Sequence, residues 1–197
     1  MRDIDIRRSL RSEMQRLHAG DPGTLILDEL ALCQGTARVD IAVVNGVIHG
    51  YEIKSEHDTL ARLSGQADVY SRALDFVTIV TGATYAARIA PLIPAWWGIY
   101  RAETIDGEVR LNPVREARDN PQQDAFAVAQ LLWRDEALAI LEEHSLADGV
   151  RSKPRRVLWQ RLAKDLTPDV LGSAVRDRLK RRERWRGSTP PSCAPNP

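Results

Sequence analysis

Two apolar, β-rich runs separated by an Asn-Gly dipeptide constrain the fold of this chain most. They cover residues 38–44 and 47–54, and the Asn45-Gly46 step between them is a strong β-hairpin signal. Asp40 interrupts the first run, and Glu52 and Lys54 interrupt the second. Residues i and i+2 of a strand share one face, so Glu52 and Lys54 are predicted to be neighbours.

The apolar residues around these charges indicate a buried sheet. Such a sheet seldom accepts a glutamate and a lysine unless they are paired or bind something. Lys54 is also the only lysine in the first 150 residues, where every other basic position is arginine. The alternative is an exposed ion pair on a surface hairpin, which would contribute little to stability.

The residue types in the hairpin suit metal-assisted chemistry. The carboxylates of Asp40 and Glu52, with the backbone carbonyl of Ile53, would form a hard oxygen site of the kind that Mg²⁺ or Mn²⁺ prefers. A metal held there can activate water and neutralise charge on a phosphate group. A lysine beside it can orient the water or stabilise the transition state.

A shared metal site sets a condition on the hairpin register. A two-residue Asn45-Gly46 turn would pair Asp40 with Tyr51, and Glu52 would then point to the other face. We therefore predict a three-residue loop, residues 44–46, with Gly46 in the left-handed conformation. That loop pairs Val43 with Val47 and Asp40 with Gly50. A bulge at Gly50 would restore the same parity by another route.

The rest of the chain alternates between helical and strand patterns, which predicts an α/β fold. Helices are expected over residues 4–17, 58–74 and 83–92, and strands over residues 24–32, 76–80 and 96–101. From residue 112 onwards the pattern is helical, with helices expected to start at residues 120–121, 152–154 and 167–168.

A further pair of residues links the hairpin to a known superfamily. Gln66 and Tyr70 lie at i and i+4 on the predicted helix, and therefore on one face. The order Asp40, Glu52-Ile53-Lys54, Gln66-x-x-x-Tyr70 resembles the PD-(D/E)XK nuclease superfamily, in particular its RecB-like QxxxY branch. The segments RVDIAVVNG and GYEIKS also resemble a family of small stand-alone bacterial proteins placed in that superfamily.

The resemblance implies a restriction endonuclease-like mixed sheet flanked by helices, with a helical C-terminal extension. It implies that Asp40 and Glu52 are metal ligands and that Lys54 is the catalytic lysine. Gln66 and Tyr70 would support the site or contact the DNA backbone. Val39 precedes Asp40 in place of the proline of the motif, a weak departure. The expected division is a nuclease-like core over residues 1–110, a helical extension over 111–186 and a disordered tail over 187–197.

One further acid is expected upstream in such folds. Glu29 is the preferred candidate, because it is polar within the apolar run LILDELAL, and Glu13 and Asp28 are alternatives. A solvated strand residue or a loop cap would equally explain Glu29. His49 and His57 flank the motif and are interpreted as local hydrogen-bond partners rather than ligands.

Charge is distributed unevenly along the sequence. Residues 151–186 hold 13 basic and 4 acidic residues, whereas residues 1–150 hold 15 basic and 23 acidic ones. The basic segment is predicted to contact nucleic-acid phosphates. A solvated helical face is the alternative. The residues expected to make these contacts, besides Tyr70, are Arg155, Arg156, Arg161, Lys164, Arg178 and Arg181.

The sequence thus predicts a nuclease that uses Mg²⁺ or Mn²⁺ to hydrolyse DNA, with RNA not excluded as substrate. Repair, defence or mobile-element biology would be its setting, and cutting of two strands would favour a homodimer. A non-catalytic nucleic-acid-binding protein with the same fold is the main alternative, and a helical adaptor is a third. Two cysteines and the lack of a membrane-length apolar stretch predict a cytoplasmic protein with no membrane partner.

Overall fold

The computed structural model describes residues 2–55, 58 and 60–182, and it contains one six-stranded mixed sheet. The strands lie in the sheet in sequence order: β1 to β3 pair antiparallel, β3 to β5 pair parallel, and β6 returns antiparallel to β5. Their bounds are β1 Leu25–Leu32, β2 Ala37–Val44, β3 Ile48–Lys54, β4 Phe76–Gly82, β5 Gly98–Ile105 and β6 Glu108–Arg115.

Helices cover both faces of this sheet, which confirms the predicted fold class of a mixed α/β sheet followed by C-terminal helices. Helix α1 packs on one face, where Ile6, Leu10 and Met14 meet a small apolar cluster. The other helices face a larger cluster on the opposite side of the sheet. The helices are α1 Asp3–Leu17, α2 Leu63–Ala73, α3 Ala83–Ile89, α4 Ala125–Ala129, α5 Arg134–Glu143, α6 Arg155–Asp165 and α7 Pro168–Arg181.

The sheet continues past residue 110, where the sequence pattern indicated the end of the core, because β6 runs from Glu108 to Arg115. The next helix also begins later than residue 121. Asp124 caps α4 by accepting the N–H groups of Phe126 and Ala127. Asn120 instead donates to the carbonyls of Ser71 and Leu74, which ties the connection to α2. The expected tail, residues 187–197, lies outside the described residues.

The C-terminal helices α6 and α7 start where Pro154 and Thr167-Pro168 indicated. Both pack on the same apolar cluster as the sheet rather than forming a core of their own. Trp159 is almost fully buried, and its indole N–H donates to the carbonyl of Leu132. No helix within the described ranges is both long and apolar enough to span a bilayer.

The register of the β2–β3 hairpin differs from the predicted one. Val44 pairs with Ile48 and Ile41 with Tyr51, so the loop is residues 45–47 and the predicted pairing through Val43 and Val47 is wrong. Asn45 closes the loop, because its N–H donates to the Val47 carbonyl and its side chain accepts the Val47 N–H.

The predicted left-handed conformation of Gly46 is also wrong. The alternative route, a bulge at Gly50, is not used, because the pairing passes Gly50 without a shift. Within the paired residues the register has the parity that a shared site requires. The pairing stops at Ile41 and Tyr51, one residue short of Asp40 and Glu52.

Candidate functional site

The site begins where β2 separates from β3. Their backbone pairing ends at Ile41 and Tyr51. One residue further on, the carboxylate of Asp40 accepts the N–H of Ile53 at 2.7 Å. A side-chain oxygen thus takes the place of a backbone acceptor, and the regular pairing of the two strands ends here.

The neighbouring strand β1 is irregular at the same level. Glu29 lies between the paired residues Asp28 and Leu30, opposite Asp40, and has a left-handed φ of 58°. Few non-glycine residues adopt this conformation, so the surrounding structure must hold Glu29 in place. The predicted extra acid therefore does lie beside Asp40. Of its competitors, Asp28 pairs with Arg11 instead.

Glu52 is the most enclosed charge of the site, with a residue exposure of 3%. Its Oε1 accepts hydrogen bonds from Lys54 Nζ at 2.6 Å and from Gln66 Nε2 at 2.8 Å. Its Oε2 lies 2.6 Å from the Tyr70 hydroxyl. The burial of Glu52 and its pairing with Lys54 follow the prediction from the strand pattern, and the structure also brings in both predicted residues of α2.

Helix α2 supplies the support for Glu52 from above the sheet. The Tyr70 ring stacks on Trp97 with centroids 5.8 Å apart, and its hydroxyl also lies 2.7 Å from the Arg38 carbonyl. Burial and the Glu52 carboxylate raise the pKa of Tyr70, so its hydroxyl keeps its proton. Gln66 Oε1 is buried and has no hydrogen-bond partner among the described residues.

Asp40 lies in a less balanced environment. Burial first, and the Glu52 carboxylate second, raise its pKa to about 6. This shift persists although the Arg7 guanidinium contacts the Asp40 carboxylate and also donates to the Asp40 carbonyl at 3.1 Å. The two acids therefore interact, and the Arg7 contact offsets only part of the effect of burial and of Glu52 on the pKa of Asp40.

Sequence reasoning missed Arg7. It lies on α1, 33 residues before Asp40, and no local pattern distinguishes it from the other arginines of that helix. Besides Asp40, it contacts Glu29 Oε1 at 2.9 Å and Asp3 Oδ1 at 3.7 Å. A carboxylate was expected to join Asp40, and the structure places both Glu29 and an arginine there.

The residues of the site fit a small divalent cation. Asp40 and Glu52 offer carboxylate oxygens, and water completes such sites readily. The orphaned Gln66 Oε1 beside Glu52 could accept a hydrogen bond from that water. No group of three or more His, Cys, Asp or Glu side chains arranged to hold a metal occurs in the described part of the chain. The Ile53 carbonyl as a third ligand stays a prediction.

The basic residues expected to bind nucleic acid fall into two groups. Arg155 contacts Gln34 and stacks over Trp159, Arg161 pairs with Asp165, and Arg178 pairs with Glu143. The second group is exposed and makes no ion pair with any described residue. It comprises Arg156, Lys164 and Arg181.

His49, the described histidine near the motif, is not part of the Asp40–Glu52–Lys54 cluster. His49 is enclosed on the α1 side of the sheet, and burial lowers its pKa to about 4. Its Nε2 lies 2.8 Å from the Thr78 hydroxyl and its ring stacks on Tyr51, as expected of a local hydrogen-bond partner. His57 lies outside the described residues.

The fold and site together define a mixed α/β protein with an Asp–Glu–Lys cluster between two diverging strands. A family model described as bacteriophage P4 protein cII matches residues 10–187. The chain belongs to this family.

Two relatives were compared with the chain. Protein cII of Enterobacteria phage P4 is 24% identical over 121 residues, which cover 61% of this chain and 46% of that protein. The chain thus matches less than half the length of this relative. Among solved structures, the SPO1766 protein of unknown function from Silicibacter pomeroyi is similar with a TM-score of 0.44. Its identity is 23%, over 60% of this chain and 73% of that one.

Proposed function

We propose that this protein is a metal-dependent nuclease of the PD-(D/E)XK type that hydrolyses DNA phosphodiester bonds with Mg²⁺ or Mn²⁺. The observation that carries the proposal is the gathering of three charged side chains where β2 and β3 separate. The Asp40 carboxylate accepts the N–H of Ile53, next to Glu52, and the Lys54 ammonium lies 2.6 Å from the Glu52 carboxylate. Buried acids cost free energy unless they are paired or bind an ion, and titratable groups with shifted pKa values cluster at functional sites.

Each side chain has a separate task in this proposal. A bound Mg²⁺ or Mn²⁺ would supply Lewis-acid chemistry and lower the pKa of water. Asp40 and Glu52 would hold the ion, Asp40 being fixed by the Ile53 N–H and Glu52 by Gln66 and Tyr70. The Lys54 side chain is 13% exposed and places a positive charge where β2 and β3 separate, so that it can contact a scissile phosphate.

Circular substrates test the proposal and separate endonuclease from exonuclease action. We expect the purified protein to convert single- or double-stranded circular DNA into linear products with Mg²⁺ or Mn²⁺, and not with EDTA. Lys54→Met should reduce the rate at least about 100-fold, because one preorganised charge commonly contributes that much.

The control is Arg110→Met, which removes an exposed cation of β6 without a described ion pair and should cleave like the wild type. Thermal unfolding of both variants ensures that only folded protein is compared. Equal cleavage by Lys54→Met and the wild type would contradict the assignment of Lys54. Loss of activity in Asp40→Asn as well would tie cleavage to the cluster.

The same site offers one observation in favour of a nucleic-acid-binding protein without catalysis. Asp40 already contacts Arg7, and Glu52 already contacts Lys54, so each carboxylate has a cationic partner. If this second candidate is correct, DNA binding is the same in EDTA and in Mn²⁺, and no circular substrate is cut. Binding that survives Asp40→Asn while cleavage disappears would favour the nuclease instead.

A further inference from the structure

We infer that Arg7 is a displaceable counter-ion, which holds the Asp40 carboxylate in the ligand position and gives up that contact when a divalent cation binds. The inference rests on the proposed function, since it assigns a role toward the metal. Arg7 would be a positioning residue, because it acts through Asp40.

The contacts of Arg7 show how it could yield without leaving the site. Nη2 contacts the Asp40 carboxylate, whereas Nη1 binds Glu29 Oε1 at 2.9 Å and the Asp40 carbonyl at 3.1 Å. Nε lies 3.7 Å from Asp3. Withdrawal of Nη2 alone frees the Asp40 carboxylate, and the guanidinium keeps two acidic partners that belong to neither Asp40 nor Glu52.

The position of Glu29 supports this interpretation. Its left-handed backbone directs a half-exposed carboxylate towards Arg7 from the strand next to Asp40. A second arginine, Arg38, approaches the other oxygen of Glu29 at 3.5 Å. Glu29 therefore anchors arginine side chains at the rim of the site, which explains an acid at this strained position without making it a metal ligand.

Two cations cannot occupy the same carboxylate without mutual repulsion. Arg7 would therefore lower the affinity of the site for a divalent ion while it keeps Asp40 compensated in the ion-free protein. Removal of its charge should strengthen ion binding and, in the absence of ions, weaken the fold. These two effects have opposite signs, and a purely structural ion pair would show only the second.

The test measures Mn²⁺ affinity by calorimetry, and thermal unfolding in EDTA and in saturating Mn²⁺. We expect Arg7→Met to bind Mn²⁺ about tenfold more tightly than the wild type. We also expect it to unfold at a lower temperature in EDTA and to gain more from Mn²⁺ than the wild type does. Arg7→Lys should lie between the two.

The matched control is Arg11→Met. Arg11 lies one turn further along α1 and pairs with Asp28 of β1, but it does not contact Asp40. Its ion pair is exposed, so it should lose less stability than Arg7→Met and bind Mn²⁺ as the wild type does. Equal or weaker Mn²⁺ binding by Arg7→Met would overturn the inference and leave the proposed nuclease intact.

A third outcome separates the two hypotheses in the other direction. If the wild type binds no Mn²⁺, or if Asp40→Asn leaves Mn²⁺ binding unchanged, the metal site and the displacement of Arg7 both fail. Arg7→Met and Asp40→Asn would then show the same coupling in EDTA and in Mn²⁺, as expected for a permanent ion pair.

Discussion

The Glu52 carboxylate has hydrogen-bond partners from two elements, Lys54 of β3 and Gln66 and Tyr70 of α2. The Tyr70 hydroxyl is the partner that can be removed with the least change to the rest of the site. Tyr70→Phe removes the hydroxyl and leaves the ring on Trp97. We expect a loss of about 1–2 kcal/mol in urea unfolding, because a buried carboxylate loses a donor. The loss should shrink in a Glu52→Gln background, since the hydroxyl then meets a neutral acceptor.

Tyr85→Phe is the control for this cycle, because the Tyr85 hydroxyl donates to a backbone carbonyl, that of Asp58 at 2.6 Å. Its cost should be the same with Glu52 or Gln at position 52. Additive effects of Tyr70→Phe and Glu52→Gln would mean that the short contact between them contributes no coupling.

Asp40 gives the site a defined pH dependence. Its pKa is about 6 in the folded chain against 3.8 as the ordinary value, so the folded state holds this proton more tightly. The contribution of Asp40 to stability therefore falls as pH rises from about 4 to about 6. Asp40→Asn, which cannot ionise, should be more stable than the wild type above pH 6, by at most about 3 kcal/mol.

The measurement is urea unfolding of both proteins in EDTA between pH 4 and pH 8. The advantage of Asp40→Asn should shrink towards pH 4, because the wild-type carboxyl is then protonated in the folded state and begins to be protonated in the unfolded state. A variant that is less stable than the wild type at pH 7 would mean that the Arg7 contact outweighs burial and the repulsion from Glu52.

At the scale of elements, the hairpin shows what local sequence can and cannot predict. A shared metal site required a loop with an odd number of residues, and the hairpin has a three-residue loop, residues 45–47. The position of the loop depends on the Asn45 side chain, which accepts the Val47 N–H. This hydrogen bond competes with backbone pairing of the strands, and the alternation of apolar residues does not predict it. Arg7 and Glu29 were harder still, because their roles arise from contacts between α1, β1 and β2.

Helices α6 and α7 show the same division between local pattern and tertiary partner. Their start signals predicted their positions, but half of the expected phosphate-binding residues have partners within the protein. We expect Arg156→Gln, Lys164→Gln and Arg181→Gln together to reduce the salt dependence of DNA binding by about two to three counterions. These three side chains are exposed and without a described ion pair.

The control set for that experiment neutralises three arginines that already pair with acids. Arg151 pairs with Glu142, and Arg161 and Arg178 pair with Asp165 and Glu143. Their glutamine variants should change the salt slope less. An unchanged slope in the first set would identify the exposed charges as a solvated face rather than a nucleic-acid interface.

Over the whole molecule, the uneven distribution of charge along the sequence produces ion pairs within the protein. Arginines of the basic segment pair with acids that precede it, including Glu142, Glu143 and Asp75. The same segment contributes Leu158, Trp159 and other apolar residues to the main cluster. The C-terminal helices are thus part of one folding unit with the sheet in the described structure, and a deletion after residue 150 would expose the core rather than test DNA binding.

Arg182, at the end of α7, gives this integration a measurable test. Its side chain is 5% exposed, its guanidinium binds Glu136 at 2.7 and 2.5 Å and the Leu131 carbonyl at 2.7 Å, and it lies over the Trp133 ring. Arg182→Ala should cost about 3–5 kcal/mol in urea unfolding, because it leaves a buried carboxylate without its bidentate partner. Arg181→Ala, an exposed neighbour, should cost almost nothing. Similar small losses in both would mean that water replaces the Arg182 contacts and that α7 is held by its apolar face alone.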